Sequence, residues 1–359
     1  MLLKILQSVL FFVVLLSPFG GLQANEMSLP EAVSNNAVAI TTVKGQPTIF
    51  SFNGLSKGKT YKDIHAKAFS FNLHTQKVKT IASLPDGTGR LASIAVSLNN
   101  RIFVIGGYTV AKDHSEVSTS QIFEYFPLKN TYQKTTEMPV PVDDTVALVY
   151  QERYIYLVSG WHDTGNVNLV QVYDTKNNRW FNATPFPGAP VFGHAGGIAN
   201  NEFLIVDGVK VNRVVDGKRE YGPSEQNWYG KINENTPAII SWKKIKKHPL
   251  KPLYRMASVG LNNNQQIVFA GGSDNPYNYN GIGYDGVPST PSSAVFSYDF
   301  KNSRWLSHQS LSEPSMDHRG LLVASDAFYI VGGMGKNQKV LDRIQKIDFS
   351  SLVSFKETK

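Results

Sequence analysis

The chain has 359 residues, no cysteine, and a formal charge of +8 from 36 basic and 28 acidic side chains. Without cysteine there is no thiol nucleophile, cysteine-ligated zinc or iron–sulfur cluster, and the lack of thiols suits an oxidising compartment. The charge is dispersed: its densest run, WKKIKKH at 242–248, alternates lysines about Ile245 as the solvated edge of a sheet does, and no recognition helix or aromatic RNA-binding motif accompanies it, so nucleic acid is not an expected partner.

Residues 1–24 place Lys4 ahead of an apolar run from Leu10 to Leu16, then Pro18, two glycines and the small residue Ala24. That is the order of a secretory signal peptide. The run is interrupted by Gln7, Ser8 and Ser17 and falls short of the roughly 20 apolar residues a spanning helix needs. The expectation is cleavage after Ala24, a mature chain of residues 25–359 in the periplasm or outside the cell, and no membrane span.

From there the chain repeats itself. The apolar runs PTIFSFNG, RIFVIGG, YIYLVSG, EFLIVDG, QIVFAGG and FYIVGG end at Gly54, Gly107, Gly160, Gly208, Gly272 and Gly333, with spacings of 53, 53, 48, 64 and 61 residues. A recurrence of this length is the mark of a repeat architecture. Each unit reads as four short strands: in the third, TVALVYQ, RYIYLVSG, LVQVYDT and NRWFNAT; in the fifth, RMASVGL, QQIVFAGG, AVFSYDF and SRWLSHQ. The nonapeptides VYDTKNNRW (172–180) and SYDFKNSRW (297–305) are then the same hairpin between the outer strands of two units, with Tyr173, Trp180, Tyr298 and Trp305 filling the space between neighbouring sheets. One such sheet cannot bury both faces; six arranged radially can. The predicted fold is an all-β, six-bladed β-propeller with four antiparallel strands per blade. RIQKIDF and LVSFKE are expected to supply the outer strands of the last blade, which leaves the closure of the ring open.

These residues resemble the kelch family of β-propellers. The double glycines Gly106–Gly107, Gly271–Gly272 and Gly332–Gly333, with an aromatic after the hairpin, carry the resemblance, and Asn53 and Asp207 stand before the glycine in the two departing units.

Within a four-stranded meander, the loop after the second strand shares a face of the disc with the segment leading into a first strand. The lead-in segments GTGR, VDDT, FGHA, LYRM and MDHR therefore bring Arg90, Asp143, Asp144, His194, Arg255, His318 and Arg319 to one mouth of the central channel. The loops of that face add Trp161, His162 and Asp163 from SGWHDTGN, and Asp274, Asn275, Tyr277, Tyr279, Tyr284 and Asp285 from GGSDNPYNYNGIGYDG. Aromatic faces with amide and carboxylate groups suit a sugar. Each residue also has a plainer role: mutual ion pairing for the arginines and aspartates, a satisfied carbonyl for His194, inter-blade packing for Trp161.

Three functions follow. The repeats and the fifth-blade loop resemble the bacterial exported kelch proteins of the N-acetylneuraminate mutarotase type. That resemblance implies a small, acidic carbohydrate or other anionic ligand, arginines for its carboxylate, and anomer interconversion with His194 or Asp144 moving protons. The family sets a glutamate after its fourth-blade glycine and an arginine a few residues on; here Val209 follows Gly208, and Arg213 alone answers to the arginine. A galactose-oxidase-like copper radical site is excluded, because that cofactor needs a cysteine crosslinked to tyrosine. His162, His194 and His318 come from separate blades without ligand spacing, so no metal or other cofactor is expected. The remaining function is a non-catalytic module holding a glycan or a protein partner, which the fold supports equally.

Overall fold

The structure is a computed structural model that describes residues 27–352 apart from residue 326. The expected signal peptide and most of LVSFKE lie outside the described residues.

Five sheets have four antiparallel strands and a sixth has three, all in chain order from one edge to the other. Ala37–Val43, Ile94–Leu98, Val146–Tyr150, Ala195–Ala199, Ala257–Leu261 and Leu322–Ala324 are the first strands of blades one to six. They line a central channel of about 300 Å³. This is the expected six-bladed propeller. The core is divided among the gaps between sheets: Leu148 and Tyr156 of blade three pack with Phe203 and Ile205 of blade four, and Val38 and Ile49 of blade one with Tyr329 and Val331 of blade six. Each blade buries its faces only by having two neighbours, so the ring is stable as a whole.

The repeated nonapeptide is a hairpin, as read. Tyr173 pairs across it with Trp180, ring centroids 5.2 Å apart, and Tyr298 with Trp305 at 4.9 Å. Its aspartate holds the turn: Asp174 accepts from Asn177 Nδ2 at 2.7 Å and Asp299 from Asn302 Nδ2 at 2.7 Å. The lysines of 242–248 fall on the outermost strand of blade four, Ile240–Ile245, and just beyond it.

The glycine endings have a backbone cause. In every unit the residue before the last glycine is left-handed, with φ between 55° and 71° at Asn53, Gly106, Ser159, Asp207, Gly271 and Gly332. Asparagine and aspartate tolerate that conformation better than most side chains, which explains the departures at Asn53 and Asp207. The following glycine lies against the lead-in of its own blade: a Cβ on Gly208 would stand 2.7 Å from that of His194.

The last blade closes the ring in its own way. RIQKIDF supplies its third strand, Ile344–Asp348, but residues 349–352 turn as a 3₁₀ helix where a fourth strand would begin. Met27–Leu29 instead lies along the free side of that third strand: Ile344 donates its N–H to Met27 O at 2.7 Å, and Leu29 to Asp342 O at 2.7 Å. The beginning of the described chain thus joins the last blade to the first.

Candidate functional site

The lead-in segments are built on one register. Bridges pair Ser34 with Leu55, Leu91 with Tyr108, Asp143 with Trp161, Phe192 with Val209, Tyr254 with Ser273 and Met316 with Met334. The next residue in each case, Asn35, Ala92, Asp144, Gly193, Arg255 or Asp317, has φ between 50° and 71°. This turn lets the chain pass from the loop face into the first strand, and it puts six equivalent residues around the axis.

Those six are tied to one another. Asp144 donates its N–H to Ala92 O (3.2 Å), Gly193 to Asp144 O (2.8 Å), Arg255 to Gly193 O (2.8 Å), His318 to Arg255 O (3.1 Å) and Asn35 to Asp317 O (3.4 Å). The Asn35 side chain completes the circuit by accepting from Ala92 N at 2.6 Å.

Four charged side chains fill this ring. Arg255 donates from Nε (3.1 Å) and Nη2 (2.6 Å) to Asp144 Oδ2 and from Nη1 to Asp317 Oδ1 (3.0 Å). Arg319 Nη1 lies 2.7 Å from Asp144 Oδ1, and its Nη2 donates to Asn35 Oδ1 at 2.8 Å. The four side chains are at most 4% exposed. Burial alone would raise the Asp144 carboxyl, but Arg255 and Arg319 overcome it and hold it below the ordinary carboxylate value. Burial wins at Asp317 and raises it against the same two arginines. Because Asp144 faces the loop side while its partner Arg319 faces the channel, this cluster stands between two cavities.

The loop-side cavity is about 190 Å³ and is roofed by protruding arms. The hairpins Tyr108–Val110/Glu116–Ser118, Trp161–His162/Gly165–Asn166 and Val209–Val215/Lys218–Pro223 rise from blades two, three and four. They contribute Tyr108, Glu116, Trp161 and Tyr221; the blade-five loop adds Asn278, Tyr279 and Tyr284; Asp143, Asp144, Phe192 and Arg255 complete the lining. Tyr221 and Tyr284 are stacked at 4.4 Å, and Trp161 lies 5.9 Å from Tyr221. Asp143 Oδ2 accepts from Ser118 Oγ at 2.6 Å; burial raises its carboxyl well above the usual range, Ser118 opposing and the charges of Asp144 and Glu116 adding. Desolvation likewise raises the Glu116 carboxyl on the rim, with Arg255 pulling the other way.

Of the residues singled out in the sequence, Asp143, Asp144, Trp161, Arg255, Tyr279 and Tyr284 meet in this cavity. The others are placed elsewhere. Arg90 turns away from the axis to Asp86 and Gln121, over the ring of Phe123. His162 Nδ1 is hydrogen-bonded to Pro141 O, and Asp163 accepts from Ser118 N. Arg213 pairs with Glu220 on the exposed part of the blade-four arm. Asp274 lies beside Lys251, and Asn275 holds its own loop through Asp285 and Val287. Tyr277 is buried beneath the loop with its ring 5.4 Å from the Arg255 guanidinium. His194, His318 and Arg319 are on the channel side. His194 donates from Nε2 to Val158 O at 2.9 Å, and burial lowers it to about 4; His318 is lowered by burial and Arg319 to about 3. Both imidazoles are neutral wedges beneath the glycines of their blades, Gly208 and Gly333.

The arginines expected to meet a ligand carboxylate are engaged within the protein. The guanidiniums of Arg255 and Arg319 already face aspartates. Tyr108, Glu116, Phe192, Tyr221 and Asn278 line the cavity without having been singled out in the sequence. Tyr108 follows Gly107 as Trp161 follows Gly160, a register that could have found it. Phe192 stands in the quoted FGHA segment, whereas Glu116 and Tyr221 reach the pocket on their hairpins and Asn278 on the blade-five loop.

No protein-family profile matches the chain. It is 24% identical over 328 residues to Kelch-like protein 15 of Danio rerio, covering 91% of this chain and 50% of that protein. It is 27% identical over 166 residues to the N-acetylneuraminate epimerase of Salmonella arizonae, covering 36% of this chain and 42% of that one. The chain thus spans half or less of the length of these curated relatives. A solved structure described as "Structure of YjhT" superposes with a TM-score of 0.69 over 89% of this chain and 99% of that one, at 13% identity, a likeness of fold.

Proposed function

Taking the chain as the kelch propeller that its repeats, its six sheets and its curated relatives make it, we propose that the loop-side cavity binds a single small sugar and interconverts its anomers. The observation that carries this is the juxtaposition of the Tyr221–Tyr284 stack and Trp161 with the carboxyls of Asp143 and Glu116 around one cavity. A pyranose offers an apolar ring face to the aromatics and hydroxyls to the acids, and a cavity of about 190 Å³ is small beside those that hold drug-sized ligands. The similarity to an N-acetylneuraminate epimerase over part of the chain supports a sugar as ligand.

Anomer exchange opens the ring by protonating the ring oxygen as the anomeric hydroxyl loses its proton, and closes it on the other face. Asp143, whose carboxyl burial raises well above the usual range, is the acid in this reading, and Glu116 on the rim is the base. Asp144, held ionised by two arginines, fixes the pocket floor and leaves proton transfer to its neighbours. Export with cleavage after Ala24 belongs to the same proposal. It rests on the order of residues 1–24 and the absence of cysteine, and the N-terminal mass of the protein from an extracytoplasmic fraction tests it.

The activity is tested by proton NMR of freshly dissolved glucose, galactose, glucosamine and N-acetylneuraminate, followed to anomeric equilibrium with and without protein. Acceleration lost in Asp143→Asn supports the reading. Sugar line broadening without acceleration makes this a binding propeller, and neither effect with any sugar overturns the proposal.

A further inference from the structure

The cavity has an electrostatic bias that its curated relatives' names do not predict. Three carboxylic residues, Glu116, Asp143 and Asp144, line it, against one guanidinium, Arg255. That guanidinium is fully engaged: its Nε and Nη2 serve Asp144, its Nη1 serves Asp317, and the rings of Tyr254 and Tyr277 lie 4.7 and 5.4 Å from it. Turning it toward a ligand would strip two buried aspartates of their counter-charge. A cation beside the rim, Arg219, lies over Trp161 at 5.3 Å and donates to Thr164 O at 2.7 Å. Asp144, Asp317, Arg255 and Arg319 balance as two carboxylates and two guanidiniums, so Glu116 and Asp143 are left as surplus acids.

A second observation points into the same space. Tyr108, only 6% exposed, lines the cavity, and its hydroxyl makes no hydrogen bond among the described residues. An unpaired hydroxyl on the wall of the cavity accepts from or donates to whatever enters. Aromatic walls around the Glu116 carboxylate and the buried Asp143 carboxyl form the environment that recognises an organic cation: the ring faces attract positive charge, and the carboxyl oxygens accept its N–H groups.

We propose that the cavity selects a monosaccharide carrying a free ammonium group, held by Glu116, Asp143 and the Tyr108 hydroxyl, and rejects sugars carrying a carboxylate. This rests on the sugar-pocket reading above and assigns the charge of the ligand. Like-charge repulsion from the Glu116 carboxylate, in a partly desolvated pocket, supplies the rejection.

Calorimetric titration at fixed ionic strength with glucosamine, glucose and glucuronate, and with tetramethylammonium as a probe that is a cation and no sugar, tests it. The expected result is glucosamine bound at least about tenfold tighter than glucose, glucuronate weakest, and the ratio of glucosamine to glucose affinity reduced severalfold in Glu116→Gln. Glucuronate binding as tightly as glucosamine, or a preference unchanged in Glu116→Gln and in Asp143→Asn alike, would overturn the proposal. Tetramethylammonium bound without any sugar would sink the sugar reading and leave the charge selection standing. No binding of any probe would sink both.

Discussion

Arg255 places Nη2 2.6 Å from the Asp144 carboxylate, across 111 residues of sequence and two blades of the ring. Neither side chain has an equivalent partner within its own repeat unit. The pair exists because six copies of one left-handed turn bring their following strands to a common axis, where side chains that differ from copy to copy meet.

Arg255→Ala is expected to destabilise the protein by about 3–5 kcal/mol, since it leaves Asp144 and Asp317 buried without their main counter-charge. Chemical denaturation measures this. The double variant Arg255→Ala, Asp144→Ala should lose less than the sum of the two single changes, because the second change removes a charge that the first had orphaned.

The left-handed positions make an opposed pair. Ala92 has φ 52°, a conformation costing about 1–2 kcal/mol for a side chain with Cβ, so Ala92→Gly is expected to be neutral or to stabilise by about 0.5 kcal/mol once the extra freedom of unfolded glycine is counted. Gly193 has φ 59° in the equivalent place, and a Cβ there would collide with the Tyr254 ring, so Gly193→Ala should cost about 2 kcal/mol or more. Thermal melts of the two variants check the contrast.

Acid should weaken the channel side. His194, held down to about 4, binds fewer protons in the folded protein than in the unfolded chain, whose histidine titrates near 6.5. Its contribution is therefore full above about pH 6.5 and is lost as pH falls toward 4, on the order of 3 kcal/mol. Asp143 and Asp317 have raised values and act with the opposite sign. The difference between wild type and His194→Gln, by denaturant unfolding between pH 7 and 4.5, isolates the histidine; the variant should show the flatter dependence.

In the pocket, Trp161→Ala and Tyr221→Ala should each weaken sugar binding by about 1–2 kcal/mol, roughly 5- to 30-fold, with melting temperatures near wild type. Asp143→Asn should slow anomer exchange about 100-fold or more and remove the fall in rate at high pH that ionisation of Asp143 would produce. Line-shape analysis of the NMR spectra gives both quantities.

The architecture was legible in the residues, because a propeller is written in local terms. The six glycine endings demand left-handed backbone at Gly106 or Asp207, and the two nonapeptides specify a hairpin through an aspartate two to three residues from the groups it caps; these are contacts that recurrence exposes. It also brought Asp143, Asp144 and Trp161 to one mouth through the alternation of loops. Tertiary structure alone decided what those residues do there. Arg90 had a partner four residues away in Asp86 and turned from the axis, whereas Arg255 had none nearby and was neutralised by Asp144 and Asp317 from other blades. Glu116 and Tyr221 reached the cavity on arms whose direction is set by packing over the centre. Charge balance at the axis is a sum over residues more than a hundred positions apart, and only closing the ring performs that sum.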